Sequence, residues 1–385
     1  MNKLYPIKFI ADPRLRVWGG DYLHKKLNKE FDKEFLDKNI GESWEIWSLY
    51  GQSSVASNGF LAGNTLDEII EIYLQDLVGE NAFNYFKGDF PVMVKILDIK
   101  DRISVQVHPN DQIAFEREDS YGKAEFWYVL ETNPDSKIYM GFKKDITPTE
   151  FYQRCQEGTL EEVLNVFTPK KGDCIYIEPG CIHSASNIVV AEVLQSADIT
   201  YRLYDWGREK NPATARTMHI EDAIDVIDYN KYNKEKYYFE QVNKSTTIIN
   251  SSHFVIKGID LTEPVRVVPS LVGSFIIYFC TRGEAKIKLN NKETYSIKEG
   301  ETILIPASME DFLLEPVAAN PHLLEVFMPQ IEEDDTYLNY KEETLPSPDE
   351  GCDDYEHEHD DCDCDDDDCD CHSHGSHYGE HFFRQ

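Results

Sequence analysis

Residues 172–187 read GDCIYIEPGCIHSASN, and residues 300–311 read GETILIPASMED. Each stretch opens on a Gly at a turn, runs through a short apolar strand, and reaches a Pro followed by a small residue and then a polar one. A strand, turn and strand unit used twice predicts two similar β halves. The copies are not chemically equal. The first sets His183 three residues after Gly180, whereas the second has Asp311 in that place and no His beside it. Only the first half is therefore equipped for a metal ion.

Working outward, VMVKILDI, RISVQVHPND, AEFWYVLETNP, VVAEVLQ, FIIYFC and AKIKLNN are alternating or apolar runs bounded by Gly, Pro and Asn, which predicts strands. Helical periodicity is confined chiefly to residues 65–79, 147–167 and 219–227, each opened or closed by Thr, Pro or Gly. The repeated unit resembles the second motif of cupins, whose fold is a double-sheet jelly roll. The expected fold is mostly β: two cupin-type jelly rolls with small helical additions, followed by a disordered acidic tail. We place the catalytic jelly roll at residues 1–240, a second, metal-free one at 241–330 and the tail at 331–385.

Charge sets the tail apart. The 385 residues carry a net charge of -33, and 331–385 hold 21 Asp or Glu against only Lys341 and Arg384. So acidic and aliphatic-poor a segment cannot bury enough apolar surface to offset the entropy of ordering, hence the expectation of disorder. An acidic chain also argues against a nucleic-acid partner, because phosphate attraction needs a basic surface. There is no signal-peptide block and no run of about 18 apolar residues, so neither export nor a membrane is expected and the localisation expected is cytoplasmic. Cys155, Cys174, Cys181 and Cys280 then read as reduced packing residues. Within 357–377, His357, His359, Cys362, Cys364, Cys369, Cys371, His372 and His374 pair ligands one residue apart, unlike the spacing of a folded zinc ribbon. Such pairs suit loosely bound, exchanging Zn(II), Cu(I) or Ni(II), a metal-buffering rider open to a metal-delivery partner.

In SVQVHPND, residues 104–111, strand alternation turns Ser104, Gln106 and His108 one way and Ile103, Val105 and Val107 the other. Pro109 then ends the strand and leaves His108 near a rim. In GKAEFWYVL, Glu125 shares a face with Trp127 and Val129. A lone carboxylate in so apolar a strand needs a cation or a metal. His108, Glu125 and His183 make a two-His, one-carboxylate set that fits Zn(II), Fe(II), Mn(II) or Ni(II) equally.

Taken in order, SVQVHPND, GKAEFWYVL, IEPGCIHSASN and EVLQSADITYRLYDWGR resemble type I mannose-6-phosphate isomerase, also called phosphomannose isomerase, from about Ile7 to Gln330. The resemblance implies a cupin-type fold, one zinc ion per active site held by Gln106, His108, Glu125 and His183, and a sugar-phosphate substrate. It also implies that mannose 6-phosphate and fructose 6-phosphate interconvert through an enediol. Glu42, in GESWEIW, falls where the family has a substrate-site glutamate beside a tryptophan, and Ser104 and Lys123 follow its phosphate-binding pattern. Arg202 offers a planar fork for phosphate or enediolate. Lys123, with a pKa lowered by desolvation beside zinc, Glu192 and Asp198 compete as the proton-transferring group. Only 57 residues separate Glu125 from His183, so the compact bacterial form is expected, with a small lid from residues 147–167. His24, His219, His253 and His322 read as surface or packing residues. A cupin oxygenase would fit the three ligands but leave Gln106, Lys123 and Arg202 without a purpose, and a metal store or carrier would not need the core.

Overall fold

The computed structural model describes residues 2–35, 37–233 and 242–330; the tail expected at 331–385 lies outside them. As the alternating runs predict, the chain is mostly β with a few helices. One nine-stranded sheet runs in the order Asp12–Gly20, Ile40–Ile46, Val92–Arg102, His183–Gln195, Val105–Val107 and Tyr201–Tyr204, and Glu125–Phe142 pairs with His183–Gln195. A second, seven-stranded sheet is built around Ile276–Leu289 and Phe312–Phe327. The repeat is visible in the pairing. Cys174–Ile177 and His183–Gln195 both pair with Glu125–Phe142, just as Thr302–Ile305 and Phe312–Phe327 both pair with Ile276–Leu289.

Alternation decides which side chains go where. Ala124, Phe126, Tyr128 and Leu130 enter a hydrophobic cluster with Val94, Ile96, Ala191 and Val193, while Trp127 and Val129 pack on the opposite face with Leu97, Ile99 and Val190. The first of these clusters continues into Ile277, Phe279 and Val326 of the second sheet and into Phe254 and Phe275 just before two of its strands. One apolar interior thus serves both sheets, and Phe90 meets Phe275 across it with ring centroids 4.8 Å apart.

The helical stretches are divided. Residues 147–167 form a helix Pro148–Glu157, a 3-10 turn Leu160–Val163 and, in place of the helical periodicity read to Phe167, a strand Leu164–Phe167. Gly158 ends the helix at φ +70°, a left-handed conformation that glycine adopts without a Cβ penalty. Residues 65–79 likewise divide at Leu74, φ +50°, into Leu66–Tyr73 and Gln75–Val78. The strand read in residues 104–111 spans only Val105–Val107, and Asn110 caps a helix Asp111–Glu118 that periodicity did not reveal.

Candidate active site

Two rows of cross-strand neighbours make the site. Trp44, Lys95, Glu192 and Trp127 stand side by side on four adjacent strands, and at the other end of the Glu192 strand His183 stands beside Gln106 and Arg202 of two further strands. Between the rows opens a cavity of about 450 Å³. Eight of the expected site residues line it: Glu42, Ser104, Gln106, Lys123, Glu125, Glu192, Asp198 and Arg202. His108 and His183 lie just behind its wall, 1 % and 0 % exposed.

At the floor, one atom each from His108, Glu125 and His183 lie within 4.8 Å of one another. His108 Nε2 is 3.1 Å from Glu125 Oε1, and His183 Nε2 is 3.5 Å from Oε2. Yet His108 Nε2 and both oxygens of Glu125 are buried and make no hydrogen bond. Buried polar atoms are seldom left so, and three converging on one point fit a cation between them. The imidazoles are set for this. Nδ1 of His108 donates to the Ile199 carbonyl at 2.7 Å and Nδ1 of His183 to that of Cys181 at 3.0 Å, which leaves each Nε2 unprotonated. Burial pushes the His108 pKa down to about 4 and lowers that of His183, so both rings are neutral. Burial opposes ionisation of Glu125, but with both rings neutral the Lys123 ammonium, its Nζ 3.2 Å from Oε1, is the cation that holds its pKa well below the ordinary value. Gln106 Nε2 is 3.2 Å from His183 Nε2 while its Oε1 accepts from Ser104 Oγ at 3.1 Å; a half turn of the amide brings the oxygen to the histidine side.

The rest of the cavity is dense in charge. Arg16 grips Glu42 through two bonds of 2.7 and 2.9 Å, and Trp44 Nε1 donates to the same carboxylate at 2.7 Å. Lys95 Nζ lies 3.9 Å from Glu192, 3.8 Å from Asp198 and 4.7 Å above the Trp44 ring. Trp127 Nε1 donates to Glu192 at 2.9 Å. Burial and then the charge of Glu125 push the Glu192 pKa up to about 7, whereas Lys95 and Lys123 outweigh burial at Asp198 and lower it. Arg202 donates from Nη1 to the Thr217 carbonyl at 2.7 Å, and its buried Nε has no partner. Burial, Arg216, Arg208 and Arg16 together push its pKa down to about 10 against the pull of Asp205. Such crowded cations suit an anionic guest.

Among the protein's own groups, burial draws the Lys123 pKa down, but Glu125, Glu192 and Asp198 outweigh burial and raise it, so in their company the lysine stays an ammonium. The lid needs correction: Phe151, Leu160 and Val163 are buried in a cluster behind Val105 and Val107, and none of residues 147–167 lines the cavity. Arg16, Lys95 and Arg216 were missed. Lys95 left a signal, a charge inside the apolar run VMVKILDI, and it is only 3 % exposed. Asp311 stays at the surface on Arg266, and among the described residues the His108, Glu125 and His183 cluster is the one group with metal-ligand geometry. His322 is a packing residue as expected, stacked on Tyr128.

Comparison with known proteins agrees with this geometry. The model of the phosphomannose isomerase type I catalytic domain matches residues 8–125. The probable mannose-6-phosphate isomerase GmuF of Bacillus subtilis is 30% identical over 306 residues, which cover 78% of this chain and 93% of that protein. The mannose-6-phosphate isomerase of Streptococcus mutans is 29% identical over 310 residues, or 80% and 94% of the two chains. A crystal structure of the mannose 6-phosphate isomerase from Bacillus subtilis superposes with a TM-score of 0.71 at 24% identity, over 84% of this chain and 99% of that one. With a full-length relative at that identity, a fold that superposes along the same span and a buried His, Glu and His cluster facing a cation-rich cavity, the chain belongs to the type I mannose-6-phosphate isomerase family.

Proposed function

We infer that the enzyme interconverts mannose 6-phosphate and fructose 6-phosphate through an enediol, with one zinc ion held by His108, Glu125, His183 and Gln106. The observation that carries this reading is the convergence of three buried atoms that make no hydrogen bond, on His108 and Glu125, at the floor of the cavity. When bound, zinc supplies Lewis-acid charge that favours a developing enediolate. Glu125 is the sole anion among the four ligands, so the loaded site stays positive.

The remaining work falls to the chain's own side chains. Ser104, Lys123 and Arg202 receive the phosphate, supported by the free Nε of Arg202 and the crowded arginines around it. Glu42 is held by Arg16 and Trp44 with a lone pair of Oε1 left for a sugar hydroxyl. Glu192 moves the proton between C2 and C1. Its pKa of about 7 suits a group that must both take and return a proton, and Lys95 keeps it near ionisation. Asp198 pairs with Lys95 at 3.8 Å and so helps to fix that side chain beside Glu192. The enzyme acts in the cytoplasm, where Cys155, Cys174, Cys181 and Cys280 stay as the free thiols seen here. Residues 357–377 buffer metal without entering the chemistry.

Stripping the protein of metal and refilling it with Zn, Co, Fe or Ni tests the reading. Zinc is expected to restore turnover of mannose 6-phosphate; no isomerisation above background with any of the four metals would refute it.

A further inference from the structure

Gly122, Lys123 and Ala124 lie just outside the ladder that begins at Glu125. Each of their amides is nevertheless anchored. Gly122 N donates to Asp111 Oδ1 at 2.8 Å, Lys123 N to the Pro109 carbonyl at 3.1 Å, and Ala124 N to Gln195 Oε1 at 2.9 Å. Gln195 closes the circuit, because its Nε2 donates to the same Asp111 Oδ1 at 2.8 Å. Gly122 sits so close to this turn that a Cβ would stand 2.5 Å from the Asn110 carbonyl carbon and from Asp111 N. The second sheet reaches the same point: His253, in the turn between Thr246–Asn250 and Val255–Asp260, has Nδ1 3.6 Å from Asp111 Oδ2.

Neither Asp111 nor Gln195 lines the cavity. Their bonds tie the backbone that follows His108 to the backbone that carries Lys123, and a long, many-rotamer lysine is aimed only as well as its own backbone is held. Glu125 is held separately, through its ladder places opposite Leu194 and Ile177. We propose that Asp111 and Gln195 are positioning residues for the isomerase reaction, fixing the Gly122–Ala124 backbone so that Lys123 meets the sugar phosphate beside Glu125. The proposal rests on the assignment of Lys123 to the substrate site made above.

The test is a set of full-length, zinc-loaded variants: Asp111→Ala, Asp111→Asn, Lys123→Ala, the double variant Asp111→Ala with Lys123→Ala, and Thr147→Ala. Thr147 caps the distant helix Pro148–Glu157 and serves as the control for lost stability. Asp111→Ala should lower kcat/KM about tenfold or more with bound metal unchanged, while Thr147→Ala keeps the full rate. Asp111→Asn, which keeps an oxygen able to accept both bonds, should recover to within about threefold of the original rate. In the Lys123→Ala background the same Asp111→Ala change should cost less than about twofold. Where Lys123→Ala is too slow to follow, the cycle is read on the affinity for inorganic phosphate by calorimetry, with the same pattern expected. An equal loss in both backgrounds, no rescue by Asn, or a normal rate in Asp111→Ala beside a defective Lys123→Ala would overturn the clamp. A normal rate in Lys123→Ala would instead sink the assignment of Lys123 itself, and the proposal with it.

Discussion

Glu192 and Asp198 face one cavity under opposite fields. Glu192 is buried and shares space with the charge of Glu125, so its pKa stands at about 7; Asp198 has Lys95 and Lys123 as its dominant neighbours and titrates lower than usual. The sign of the pH dependence follows. Below about 7 Glu192 is a neutral acid and could not act in its proposed role as the base, so on that proposal kcat/KM should fall as pH drops through that value. Glu192→Gln should lower kcat by at least about a hundredfold and abolish this limb with bound metal unchanged, whereas Asp198→Asn should leave the limb in place. An unaltered limb in Glu192→Gln would transfer the role to another group. Arg202 and His108 give the complementary contrast. Arg202→Ala should keep its metal and lose at least about a hundredfold in kcat/KM, near 2.7 kcal/mol of transition-state stabilisation. His108→Ala should lose metal and rate together, which metal analysis of the purified variant measures.

At the scale of elements, the site depends on where strands begin and end. His108 and Glu125 stand at the end of Val105–Val107 and the start of Glu125–Phe142, and the glycine between them lets the two ends approach. Gly122→Ala would put a Cβ 2.5 Å from the backbone of Asn110 and Asp111, so the segment must shift. Its kcat/KM should drop by more than about tenfold along with Tm. Gly158 is the opposite case. It has open space around it and φ +70°, so Gly158→Ala should cost about 1 kcal/mol in urea unfolding and leave kcat unchanged. Equal kinetic effects from the two changes would mean that the Gly122 contact does not shape the site.

For the whole molecule, the second sheet is part of the fold of the first, since Phe126 and Tyr128 share their cluster with Phe254, Phe275 and Phe279. Residues 345–385, acidic and rich in Cys and His, lie outside the described residues, and the expectation for them rests on composition. Deleting them should leave kcat and KM within about twofold in zinc-replete buffer, lower total bound metal, and make activity more sensitive to chelator. Collapse of activity at saturating zinc would place the tail in the site.

How much of this was legible in the sequence depends on range. Alternation is a property of neighbours, so GKAEFWYVL by itself put Glu125 with Trp127 and Phe126 with Tyr128, and SVQVHPND put Gln106 and His108 on one side. The repeat in 172–187 and 300–311 likewise announced two β halves, of which only one carries a ligand histidine. Lys95, Arg16 and Arg216 escaped, as did the Asp111–Gln195 link. Tertiary structure alone decided these, because register brings Lys95 beside Glu192 across 97 positions of chain and Gln195 onto Asp111 across 84. The pKa of Lys123 has the same origin: burial, legible in an apolar strand, draws it down, but Glu125 nearby and Glu192 and Asp198 from distant parts of the chain reverse the direction, and Coulomb forces act through space without regard to sequence distance.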